Sequence, residues 1–409
     1  MDTLHPHCAG LDVHKDSIAV CVRHWENGHV RQTVRTFGTT TSQLLQMADW
    51  LESEGVGQVA MESTGVYWKP VWNLLEDRFV VIVVNAKHIK QVPGRKTDIL
   101  DCQWIAQLLQ HGLLRASFVP DRPQRELRDL TRQRSQLTAE KARAANRIQK
   151  MLEDANIKLA SVASDVLGVS GREMIRSLIR GQQDPQAMAN LARRRLRQKL
   201  PELREALTGK VTDHHRFMLR QLLDHVEYVE RQIEQYDQRI EEVMGPPERE
   251  AVERLDTIPG VDRRAAQCIT AEIGTDMNRF PSDGHIASWA GMCPGNRQSA
   301  GKRKSGKTTE GNRWLKAILA QTAWAATRAK GTYLSSQYHR LAGRRGRKRA
   351  IVAVGHSQLV SAYHMLRDSV AYQDLGEGHF DRLHTRRQTR YHVTRLERMG
   401  YQVTLAVPA

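Results

Sequence analysis

The sequence predicts an α/β domain followed by all-α regions, and three observations support that. The first hundred or so residues alternate short β-branched runs with amphipathic stretches. Two long segments beyond them repeat apolar residues in steps of three and four. After Gly245-Pro246-Pro247 the chain is again helical and loop-rich. At 409 residues it exceeds one typical core, so two or three domains are expected. We place them at 1–120 (α/β), 121–247 (a long helical, coiled-coil middle) and 248–375 (mainly helical). The tail, 376–409, ends in an apolar run at 401–407 that reads as an added strand, and it receives no role.

Residues 8–13 and 18–23 read as strands around the turn-like His14-Lys15-Asp16-Ser17. Residues 30–37 make a third strand. A helix from Thr41-Ser42 to about Glu54 follows, with Leu44, Leu45, Ala48 and Leu51 as its stripe. A buried-type strand at 58–62, a helix at 66–76 and the β-branched run 79–84 come next. The last helix runs from about Thr97 to His111. The order is β-β-β-α-β-α-β-α. In the first long helix Leu127, Leu130, Arg134, Leu137, Lys141 and Ala144 step by three and four, with two charged seam positions. The second, Leu219 to Val243, keeps the step cleanly. The two either pair as an antiparallel hairpin or join helices of another subunit. Residues 156–211 between them are helical and arginine-rich, with turns at Gly168, Gly181 and Pro201.

Composition narrows the function classes. No apolar run approaches the ~20 residues of a membrane span. The opening residues MDTLHPHCAG lack signal-peptide character, so a cytoplasmic location is expected. Five scattered cysteines without CxxC spacing argue against disulfides and zinc. Net charge is +17, and the segment 297–349 holds 15 Lys/Arg against one acid, Glu310. Trp314, Leu315, Ile318, Leu319 and Trp324 interrupt that charge at helical spacing. The segment therefore folds, and a folded surface this basic meets phosphates.

Four acids carry the chemistry. Asp12 closes the apolar run Cys8-Ala9-Gly10-Leu11, and Glu62 closes Val59-Ala60-Met61. Asp98 and Asp101 share a helix face at i, i+3. Singly each is an ordinary charged residue. Together, on this β/α order, they make a ribonuclease-H-like set of hard oxygens suited to two divalent cations at a phosphodiester. Arg95 and Lys96 beside Asp98 are placed to neutralise a phosphate.

Gly301 to Thr308 fits G-x-x-x-x-G-K-[ST], but no buried strand precedes it, so nucleotide hydrolysis is set aside. Ser299 stands beside Gly301 among Arg297, Lys302, Arg303, Lys304 and Lys307, with Arg313 further on. A serine needs a base or metal for activation and no His lies nearby in sequence, so spacing alone favours a phosphate contact over a nucleophile. The turn Ile258-Pro259-Gly260-Val261 reads equally as a helix-hairpin-helix phosphate turn or an ordinary connection.

Three segments, Gly10-Leu11-Asp12-Val13-His14-Lys15, Met61-Glu62-Ser63-Thr64-Gly65-Val66-Tyr67 and Lys96-Thr97-Asp98-Ile99-Leu100-Asp101, resemble the first domain of DEDD transposases of the insertion-sequence 110 family. Ile258-Pro259-Gly260-Val261 and the stretch from Gly291 to Lys316 resemble that family's second domain. The resemblance implies a RuvC-like domain holding Mg²⁺ (Mn²⁺ as a substitute) through Asp12, Glu62, Asp98 and Asp101. It implies Ser299 as the nucleophile that joins transiently to DNA, with Ser305 as second candidate, reversing the reading from spacing. It further implies double-stranded target and donor DNA and a structured non-coding guide RNA as partners. Assembly as a tetramer through the coiled-coil helices, and action at the bacterial nucleoid, follow from it too. Two competing readings remain: a RuvC-like nuclease hydrolysing branched DNA, with Ser299 only a contact, and a non-catalytic nucleic-acid scaffold.

Overall fold

A computed structural model describes residues 3–26, 28–91, 100–295, 297–300, 302–383 and 385–405. Only the backbone is described at 87, 90, 91, 297–299, 303–305, 381, 383 and 386–388. The chain divides into two units, Met1–Pro120 and Asp121–Ala409.

The first unit contains β1 (His7–Val13), β2 (Ser17–Glu26), β3 (His29–Gly38), α1 (Thr41–Ser53), β4 (Gln58–Glu62), α2 (Trp68–Leu75), β5 (Val80–Val84), α3 (Ala86–Gln91) and α4 (Asp101–Gln110). The strands form one mixed sheet in the order β3-β2-β1-β4-β5. The turn at His14, whose N–H donates to the Ser17 carbonyl at 2.9 Å, is too short for anything but an antiparallel return. The crossover through α1 brings β4 alongside β1 in parallel, and β5 follows in parallel through α2. Side-chain alternation then sorts the strands between two cores. Ala9, Leu11 and Val13 pack with Leu44, Met47 and Leu75 on the α1/α2 side. Cys8, Ala60 and Val84 pack with Trp104, Ile105 and Leu108 of α4 on the other. This is a ribonuclease-H-like sheet. Two local expectations need correction. The short α3 was not anticipated. The last helix begins at Asp101 rather than near Thr97, because Leu100 is an extended N-cap (ψ 148°).

The second unit is mostly helical. Its α5 (Arg122–Asp154) leads through α6 (Leu159–Val162), α7 (Val169–Ile179), α8 (Pro185–Ala189) and α9 (Leu200–Ala206) to α10 (Asp213–Val243). Helices α5 and α10 run antiparallel against each other within the chain: Arg134 pairs with Asp237, Lys141 with Glu230 and Asp154 with His215. The charged seam positions of α5 are thereby answered from α10. Arg134, 3% exposed, also donates to Gln267 and to the Arg264 carbonyl. Pro201 lies in the first turn of α9, where proline is tolerated, rather than in a loop.

Then come α11 (Pro246–Asp256), α12 (Arg263–Ile273), α13 (Asp283–Trp289), the hairpin β6 (Arg297–Ser299) and β7 (Lys302–Ser305), α14 (Arg313–Ala326), α15 (Tyr333–Arg345), α16 (Arg347–Asp368), α17 (His379–Leu383) and α18 (Thr385–Arg398). The break at Gly245-Pro246-Pro247 separates helices but not cores. Leu127 and Ile240 share one cluster with Val252, Ile269, Leu319 and Leu359, so the division read at 247 falls inside a single unit. A second cluster, including Ile148, Leu152, Met174 and Leu219, sits at the other end of the α5–α10 pair. The described part of the expected terminal strand, Tyr401 to Leu405, is irregular. Among the described residues, no helix is long and apolar enough to cross a membrane.

Candidate active site

Strand register brings two of the acids together. Leu11 pairs with Met61 across parallel β1 and β4, so Asp12 and Glu62 stand one step further on, at neighbouring strand ends. Parallel neighbours lie about 4.8 Å apart and point their side chains to the same side. That side is the α4 side, because Leu11 and Met61 fill the opposite core. Asp12 accepts from His14 Nε2 at 3.1 Å, and Glu62 from Thr64 Oγ1 at 3.4 Å.

Helix α4 delivers the third acid. Cys8 Sγ donates to the Ala106 carbonyl at 3.6 Å, and Gly10 lies against Cys102 and Ala106. The helix therefore runs antiparallel to β1, and its first residue, exposed Asp101, arrives at the Asp12 end. Gly10 makes this possible: a Cβ there would sit 2.3 Å from the Ala106 nitrogen and 2.4 Å from the Cys102 carbonyl oxygen. Buried Cys102 registers the convergence. Its pKa is pushed up to about 11, first by burial and further by the charges of Asp12 and Asp101. The available donors are hard carboxylate oxygens, the set a divalent cation such as Mg²⁺ takes. Asp98, Arg95 and Lys96 lie outside the described residues. Gly10, His14 and Thr64 stand in the sequence only inside longer motifs and received no site role from it, although a glycine inside a strand is a known sign of close backbone approach.

The other candidate segment is a hairpin. Ser299 pairs with Lys302 across β6 and β7, and Ala300 between them turns with φ +48°. Strand β7 lies inside the stretch Gly301–Thr308 that matched a nucleotide-hydrolase loop, which requires a helix there. The hairpin's legs are closed by the Gly295 N–H to the Lys307 carbonyl at 2.8 Å and by the Pro294–Thr308 bridge. At its base Gly311 lies so close to Gly291 that an added Cβ would meet the Gly291 nitrogen at 2.3 Å. Asn312 then caps α14, accepting from the N–H groups of Trp314 and Leu315 at 3.0 and 3.1 Å. Its amide donates to Glu272, a carboxylate 2% exposed that Arg132 grips through both oxygens. Arg128 also donates to the Glu272 backbone carbonyl.

The side chains of Ser299, Arg297, Arg303, Lys304 and Ser305 lie outside the described set. Lys302, Lys307 and Arg313 are exposed, and the Arg313 guanidinium lies over the Trp314 ring, 5.2 Å from its centre. The Ile258–Val261 turn is a packing element. Gly260, at φ +86°, would carry a Cβ 2.3 Å from the Thr322 carbonyl, and the Pro259 carbonyl accepts from Gln358.

Comparison with known proteins bears on both segments. Residues 9–157 match the DEDD, IS110-type family described as a transposase. Residues 252–339 match the transposase IS116/IS110/IS902 family. The insertion element IS110 uncharacterized 43.6 kDa protein of Streptomyces coelicolor is 26% identical over 306 residues, covering 69% of this chain and 73% of its own.

Proposed function

The chain belongs to the IS110 family of transposases, and on that premise we propose that it cuts and exchanges DNA strands through a covalent serine–DNA intermediate guided by RNA. As a transposase it acts on DNA, and a DEDD domain of this kind uses a divalent metal. The observation that carries the proposal is the register of Asp12 beside Glu62 with Asp101 at the head of α4, in a chain that also bears the Ser299 hairpin.

Asp12, Glu62, Asp98 and Asp101 would hold the cation, Mg²⁺ by the hardness of the donors, and it would stabilise charge on the phosphoryl oxygens. His14 and Thr64 hold the Asp12 and Glu62 carboxylates in place through their hydrogen bonds. Ser299 Oγ attacks phosphorus, a P–Oγ bond forms, and the bond to one deoxyribose oxygen breaks. The serine proton leaves with the attack, and the released oxygen ends as a hydroxyl. A hydroxyl of another strand then attacks the same phosphorus and frees the serine. One phosphoester bond replaces another, so no ATP is required. Lys302, Lys307 and Arg313, with Arg95, Lys96, Arg297, Arg303 and Lys304, would contact backbone phosphates.

Guidance by a structured RNA, and a tetramer in which domains of different subunits complete each active site, rest on the family resemblance. The test is trapping on a nicked suicide substrate with the RNA encoded beside the gene. Wild type should give a protein–DNA adduct and Ser299→Ala none. Cutting by wild type without any adduct would instead establish hydrolysis by a RuvC-like nuclease. Asp12→Asn should bind nucleic acid and fail to recombine, which a non-catalytic scaffold would not show.

A further inference from the structure

At the opposite end of β1 from Asp12, three further side chains converge. His7 opens β1 and faces His24 directly across the antiparallel ladder. Glu26 follows His24 by two residues, so it projects from the same side of β2. One ligand atom from each of His7, His24 and Glu26 lies within 4.8 Å of the others. The two Nδ1 atoms are 2.9 Å apart. Ligands about 2.0–2.1 Å from a tetrahedral zinc sit about 3.3 Å apart, so a small opening of the pair admits the ion.

The surroundings prepare His24 for this role. It is 3% exposed, and its Nε2 lies 3.1 Å from Glu54 Oε2. With the proton on Nε2 donated to that carboxylate, the Nδ1 lone pair is left facing His7. A carboxylate behind a histidine is the usual support of a histidine bound to zinc. Glu54 is itself fixed by the Trp50 indole N–H at 3.1 Å and by Arg31 at 3.7 Å. It also caps the C-terminus of α1, where the helix dipole favours a cation.

We propose that His7, His24 and Glu26 form a binding site for a zinc-class divalent cation, clipping the start of β1 to the end of β2 and, through Glu54, to α1. Two imidazoles and a carboxylate are the borderline donors that zinc accepts, unlike the all-carboxylate set around Asp12. Exposed His7 and Glu26 leave the fourth position to water. The site stands five residues from Asp12, about 17 Å along an extended strand, so the two are separable.

The test is zinc titration by calorimetry of the full chain carrying Asp12→Asn and Glu62→Gln, which removes two of the four carboxylates of the other proposed site. One equivalent should bind, and cobalt substitution should give the intense visible bands of a tetrahedral site. Adding His7→Ala, an exposed change that leaves the fold intact by circular dichroism, should weaken binding at least about 100-fold. Glu54→Gln, acting only through His24, should weaken it by about 10–100-fold. Absence of zinc binding, or unchanged affinity in His7→Ala, would overturn the proposal.

Discussion

The carboxylate cluster and the serine hairpin are positioned by opposite means. Asp12 and Glu62 stand at the ends of strands whose preceding residues, Leu11 and Met61, are wholly buried, so their place is set by the core. The hairpin has strands of three and four residues and is secured at its base, by Gly291 against Gly311 and by Asn312 on Glu272. Damage to packing should therefore reach the acids from a distance, whereas the serine segment should respond mainly to changes at its anchor.

Perturbations can break or sharpen that contrast. The largest effect is expected for Asp12→Asn, a fall in strand exchange of about 10²–10³-fold with unchanged thermal stability, read by a recombination assay beside a melt. Next is Gly10→Ala. Its Cβ would collide with the α4 backbone, so about 3 kcal/mol of stability should go with much of the activity. Urea unfolding that matched wild type would show the acids to be less tied to the core than argued. Gly311→Ala should cost about 2 kcal/mol and suppress the covalent adduct, while DNA binding through the rest of the chain persists. Asn312→Ala removes a helix cap and a partner of buried Glu272, at about 1–2 kcal/mol, again seen by urea. The smallest effect is expected for Lys302→Ala, a reduction of about one in the slope of log affinity against log salt.

The difference also governs what could be read beforehand. The β/α order of the first unit was legible because β1, β4 and β5 are apolar runs ended by punctuation, and Asp12 and Glu62 interrupt those runs abruptly. Glycine 10 was not, since its meaning depends on Cys102 and Ala106, some ninety residues away in sequence. The hairpin was hidden for another reason: Arg297 to Lys307 is basic and glycine-rich, with no apolar period to announce two strands. Helix α4 started later than expected because the pairing of Asp98 with Asp101 suggested one continuous face, whereas Leu100 is extended. The partners of Arg134 and Lys141 could not be foreseen from a seam pattern alone, which scores charge there only as a defect.

The antiparallel pair α5 and α10 has an evolutionary consequence. Helix α5 alone, 33 residues, is a rod of about 50 Å, and a separate hydrophobic core grips each end of the pair. Deleting one residue in its middle would turn everything beyond by about 100° and shorten it by about 1.5 Å, carrying Lys141 and Asp154 out of phase with Glu230 and His215. The length of this beam can drift only in near-whole turns, and only if both helices change together. Its span is therefore a quantised trait of the molecule, far harder to vary than the loops at its ends.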